Sequence, residues 1–121
     1  MTQPPIPQEI VEEASARLTA ERTRLVHQLQ EIGATEHGEL RSDVEFGDGG
    51  FADAAAATAE RTEALGLAET LAQQVAAIDE ALDLIAEGRY GYCVRCGSAM
   101  SPARIEARPE SVLCVECKNR Q

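Results

Sequence analysis

Two runs of apolar residues at seven-residue spacing, parted by the stretch GDGGF, limit this chain more than any other feature. In the first run Val11, Leu18, Leu25 and Ile32 recur every seven positions, with Ala14 and Leu29 near the intervening ones. In the second, Ala68, Leu71, Val75, Ile78, Leu82 and Ile85 alternate steps of three and four. Such spacing lays one apolar stripe along a helix, as in helices that wrap around a partner. The glycines of Gly47–Phe51 disfavour helix between the runs. The reading is an antiparallel two-helix coiled-coil hairpin over residues 9–87, with arms of similar length and its tip near 43–55. In that register Ile32 faces Arg61, Leu25 faces Ala68, Leu18 faces Val75 and Val11 faces Leu82. Towards the tip the seam thins to Ala54, Ala57 and Ala64. A dimer through the same seam is the competing arrangement. Arms of equal length joined by a glycine turn favour the hairpin, and with it a monomer.

Composition agrees with a thin architecture. Aromatic residues make up 3% of the 121 positions, with no Trp, two Phe and two Tyr, so little is available to fill a compact core. The fold class expected is mainly α. Pro4, Pro5 and Pro7 make residues 1–8 an extended, disordered tail. The N-terminal stretch MTQPPIPQEI has neither a basic region nor an apolar run, so it does not read as a signal peptide. No stretch is apolar enough for a membrane span. The expected location is the cytoplasm, where thiols stay reduced.

Charge is divided along the chain. Residues 1–87 carry 5 basic and 18 acidic side chains, a net of −13, whereas residues 88–121 carry 6 basic and 3 acidic, a net of +3. An acidic segment of this kind is repelled by phosphate backbones and drawn to basic protein surfaces. Direct, sequence-specific DNA binding is therefore not expected.

All four cysteines fall in the basic end, as Cys93-x-x-Cys96 and Cys114-x-x-Cys117 with seventeen residues between the pairs. Zn²⁺ takes four tetrahedral thiolates, and each Cys-x-x-Cys turn can offer two sulfurs to one side. Two disulfides or a redox-active pair are the alternatives. Four cysteine ligands leave no open position for water, so the expected zinc is a single structural ion and the chain is not an enzyme. Residues 88–121 are read as a C4 zinc finger ending in a short helix from Cys114 to Arg120. Gly88 suits the position just past a helix end, and Tyr90 and Tyr92 are placed to pack the finger on the hairpin base. His27 and His37 are read as solvated helix-face residues.

An acidic helical hairpin followed by GRYGYCVRCGSAMSPARIEARPESVLCVECKNR resembles the DksA/TraR family of bacterial transcription factors. The matching positions are Gly88, Tyr90-Gly91, Cys93, Cys96-Gly97, Arg104–Ser111 and Cys114-x-x-Cys117-Lys118. The resemblance implies a protein that binds RNA polymerase rather than DNA. Its coiled coil would enter the secondary channel, with the tip approaching the catalytic Mg²⁺ and altering initiation-complex stability. In several members the alarmone ppGpp acts alongside. The family's tip motif, Asp-x-x-Asp-x-Ala, maps onto Asp53 and Ala55, because Asp53 stands forty residues before Cys93. Its first Asp falls on Gly50, and Asp48 is the nearest carboxylate to take that role. The finger positions that contact ppGpp or polymerase remain basic, as Arg108 and Lys118, while the matching helix position is the uncharged Ala77. Two further readings compete with polymerase regulation. One is a zinc-binding adaptor that kept the scaffold and lost the tip activity. The other is a factor promoting RNA cleavage through Asp43, Glu45 and Asp48.

Overall fold

The structure, a computed structural model, describes residues 6–47 and 54–120. They form four helices: α1 (Gln8–Glu31), α2 (Ala54–Ala86), α3 (Pro102–Ala107) and α4 (Val115–Asn119). Among the described residues there is no strand, only the isolated bridges Ala34–Leu40 and Tyr92–Ala99. No helix there is long and apolar enough to cross a membrane. The chain divides into two compact units, Thr23–Val75 and the pair of segments Met1–Arg22 with Ala76–Gln121.

In the unit Thr23–Val75 the core consists of Leu25 and Leu29 from α1, Ala34 beyond it, and Ala68, Leu71 and Val75 from α2. Helix α1 is 24 residues long and stops well short of the expected arm. The cause is Gly33, whose φ of +80° is the left-handed conformation that ends helices. The Gly33 amide donates to Gln30 O and the Ala34 amide to Leu29 O, which satisfies two of the last carbonyls of the helix. Ala34 and Leu29 are both buried there. A side chain at position 33 would also collide with Val44. The chain then turns through Thr35, whose Oγ1 accepts from the amides of His37 and Glu39. It returns along α2 as a loop, with Gly38 against Ala68 and Ala72, Gly47 N–H donating to Glu60 and Arg61 stacked over Phe46. The direction is antiparallel, but among the described residues no helix lies opposite the first turns of α2. Between positions 54 and 67 no α2 residue is buried.

In the other unit Ala14 and Leu18 of α1 and Ile78, Ala81 and Leu84 of α2 are buried, together with Tyr90, Met100 and Ile105. Arg22 grips Asp79 with two hydrogen bonds, Nε to Oδ1 at 2.6 Å and Nη2 to Oδ2 at 3.2 Å. That pairing departs from the anticipated register, in which Leu18 was to face Val75. The early end of α1 accounts for the shift, since a loop of non-helical rise replaces the expected turns. The seam drifts as well, for Ala81 and Leu84 are buried where Leu82 and Ile85 were expected and are only half-buried. Helix α1 begins one residue before the expected start of the hairpin. Gln8 is already helical, Pro7 O accepts the amides of Ile10 and Val11, and Ile6 lies against Gly91. Residues 1–5 lie outside the described part.

Candidate metal centre

Helix α2 ends as α1 does, with Gly88 at positive φ and the Arg89 amide donating to Leu84 O. The chain then enters the first cysteine turn. There Cys93 N–H donates to Ser98 O at 2.8 Å and Gly97 N–H to Cys93 O at 2.9 Å. Gly97 has φ +78° and open space around it, so glycine serves the turn's conformation and not a close contact. The second turn opens α4, with Cys114 as its cap, and Cys114 Sγ accepts from Cys117 N–H at 3.4 Å.

The two turns bring all four sulfurs within 4.8 Å of one another. Cys96 and Cys114 Sγ stand 3.8 Å apart. Tetrahedral thiolates at the usual Zn–S length of about 2.3 Å are separated by about 3.8 Å, so the donor set fits one zinc ion. That spacing is nearly twice a disulfide's, about 2.05 Å, and the four cysteines are unpaired. They are the only cluster of three or more metal-binding side chains among the described residues. His27 and His37 are exposed and pair with Glu31 and Glu36. His37 lies in the loop after α1, not on a helix face as expected.

The thiols are not equivalent without metal. Amide hydrogen bonds from Cys114 and Cys96 hold Cys93 down to about 6. The Ser98 hydroxyl and amide lower Cys96. Burial, followed by the neighbouring sulfurs, pushes Cys117 up to about 12. Cys93 and Cys96 thus favour the thiolate while Cys117 resists it beside them, a conflict that a bound dication removes. Zinc uptake here must release protons.

The connection between the turns is tied by side chains to main-chain carbonyls. Arg17 of α1 donates to Glu106 O at the end of α3, and Tyr90 Oη donates to Pro109 O at 2.8 Å. Arg104 Nε donates to Leu113 O at 3.2 Å and its Nη2 to Ser111 Oγ at 3.0 Å. The stretch RIEARPES thus works largely as internal wiring. The sequence marked the stretch but assigned Arg104, Ser111 and Arg17 no part in it, since backbone acceptors leave no pattern in side-chain identity.

Ala55 is exposed in the first turn of α2. Asp48 and Asp53 lie outside the described residues. Arg108 is exposed, 3.4 Å from Glu110, and Lys118 is exposed on α4. Ala77 is half-buried on α2.

Comparison with known proteins bears on the finger first. The family described as the prokaryotic dksA/traR C4-type zinc finger matches residues 88–121. The RNA polymerase-binding transcription factor DksA of Caulobacter vibrioides is 35% identical over 70 residues, covering 58% of this chain and 49% of that relative. The protein of the same name from Escherichia coli K12 is 39% identical over 41 residues, covering 34% of this chain and 27% of its own. The matches thus span half or less of these curated relatives. Two solved structures resemble almost the whole chain. Transcription factor DksA2 from Pseudomonas aeruginosa superposes with a TM-score of 0.70 at 29% identity, over 93% of this chain and 83% of that one. A DnaK suppressor protein from Agrobacterium tumefaciens gives 0.61 at 30% identity, over 92% and 93%.

Proposed function

The chain belongs to the DksA/TraR family, and from that premise we propose that it regulates transcription by binding RNA polymerase through the secondary channel. The observation that carries this reading is the family's finger at residues 88–121, in a chain whose relatives are named as RNA polymerase-binding factors. In this proposal Cys93, Cys96, Cys114 and Cys117 hold one structural zinc. The protein is a monomer of the cytoplasm, is not an enzyme and does not read DNA. Zinc supplies a rigid cross-link and no chemistry. The tip carries Asp53 and Ala55, with Asp48 serving for the carboxylate that Gly50 lacks, and acts near the polymerase active site on initiation-complex stability. Two features support a channel role. The first turns of α2 bury no side chain and begin with four alanines, so they are slim. The acidic balance of residues 1–87 is suited to a passage lined with basic groups. Arg108 and Lys118 supply the finger's share of a ppGpp or polymerase contact, without a basic partner at Ala77.

A pull-down of bacterial RNA polymerase core at moderate salt tests the reading. The expected result is retention that is lost when the secondary channel is blocked; no retention, or retention indifferent to the block, refutes it. In vitro transcription with Asp53→Asn is expected to lose the promoter effect while binding persists. Equal effects from variant and parent favour a zinc adaptor without tip activity, a reading supported by Gly50.

A further inference from the structure

The two cysteine turns are held by different means. The first is fixed chiefly by main chain: besides the bonds at Cys93 and Gly97, Met100 N–H donates to Gly91 O at 2.8 Å, flanking the Tyr92–Ala99 bridge. Such a ladder is nearly indifferent to which side chains it carries. The second turn shares part of this, with Lys118 N–H donating to Cys114 O at 2.9 Å and Val94 N–H to Val112 O at 3.0 Å, but the peptide that leads into Cys114 is held otherwise. No main-chain N–H among the described residues reaches the carbonyl of Leu113, the residue before Cys114. Two side chains reach it instead. Arg104 Nε donates to Leu113 O at 3.2 Å, Ser111 Oγ donates to the same oxygen at 3.0 Å, and Arg104 Nη2 donates to Ser111 Oγ at 3.0 Å. The three groups close a partly buried triangle around one carbonyl oxygen.

Leu113 O belongs to the same planar peptide as Cys114 N, so holding that oxygen sets the plane from which the Cys114 side chain leaves. The holder is itself held. Arg104 lies in the first turn of α3, where its amide donates to the capping Ser101 Oγ at 3.2 Å. Pro102 at the helix start fixes the chain further. The guanidinium is well matched to the task, because its planar fork can serve two acceptors at once, which a lysine ammonium on a flexible stem does not reproduce.

We infer that Arg104, assisted by Ser111, is a positioning residue for the metal, orienting Cys114 without touching the ion. This rests on the proposal that the four cysteines hold one zinc. Partners of this kind typically change metal affinity by about 10–100-fold when removed. In the intact chain, competition with a chromophoric chelator is expected to show Arg104→Met weakening zinc within that range. Arg104→Lys is expected to fall between parent and Met, and Ser111→Ala to weaken zinc less than Met does. At saturating zinc, alkylation resolved by mass spectrometry is expected to speed up at Cys114 more than at Cys93, relative to the parent. A residue that merely stabilised the finger would raise both alike. Unchanged zinc affinity in all the folded variants overturns the inference, and so does equal acceleration at the two cysteines. Should Arg104→Met fail to fold, Arg104→Lys and Ser111→Ala carry the same comparison. A parent chain that binds no zinc overturns the zinc proposal and this inference together, whereas a zinc-binding parent with indifferent variants overturns this inference alone.

Discussion

Tyr90 illustrates how much of the finger's stability rests on single side chains bonded to backbone oxygens. Its ring is buried and its hydroxyl donates to Pro109 O. Removing the hydroxyl leaves that carbonyl without this donor, so Tyr90→Phe is expected to cost about 1–2 kcal/mol in denaturant unfolding of the zinc-loaded protein. Burial, aided by Glu110, pushes the phenol up to about 12 from its usual 10. The folded chain therefore prefers the neutral phenol. Its contribution is complete below pH 10 and is lost as pH rises from 10 through 12, because the unfolded chain ionises first. Unfolding midpoints across that window should fall more steeply for the parent than for Tyr90→Phe; parallel curves contradict the assignment. At this scale the sequence was informative about residues whose chemistry is peculiar to their type. Four cysteines at finger spacing announce a zinc site by themselves. Arg104 and Arg17 stayed hidden because their acceptors are carbonyls, which every residue has.

A glycine just past the end of α1 and another inside α2 should respond to replacement by alanine in opposite directions. Gly33 closes α1 at φ +80° and sits against Val44, so Gly33→Ala places a methyl in strained backbone and in occupied space. A loss of about 1–3 kcal/mol is expected. Gly66 lies inside α2 with nothing within 4 Å of its would-be methyl. There alanine is the better helix former, and a gain of about 1 kcal/mol is expected. Thermal unfolding of the two variants checks both signs, and a shift in the same direction for both contradicts this account of the helices. The buried stripe of Leu18, Leu25, Ala68, Leu71, Val75 and Ile78 was legible because heptad spacing reports a helix face directly. The end of α1 was not. Ile32 continues the seven-residue count, and a lone Gly33 is a weak stop signal until Ala34 is seen buried beside Leu29. Two arms of equal length were therefore read where the structure has a helix of 24 residues and one of 33. The positions of Asp48 and Asp53 follow from a count back from Cys93 and belong to the family resemblance, not to the geometry of the described residues.

For the whole molecule, the chain unites an acidic helical part with a basic finger that metal completes. The charge division was plain from composition, since net charge needs no fold to be counted. The metal dependence follows from the finger's small core, in which Tyr90, Met100 and Ile105 are the main buried groups besides the cysteines. Which partner receives the acidic part is the central claim. It is tested most directly by a photo-crosslinking residue at the exposed Ala55 position, with zinc-loaded protein mixed with bacterial RNA polymerase core and the adducts mapped by mass spectrometry. The account predicts adducts confined to polymerase segments lining the secondary channel beside the catalytic Mg²⁺. Adducts on the outer surface alone, or none under conditions where the two proteins bind, would contradict it.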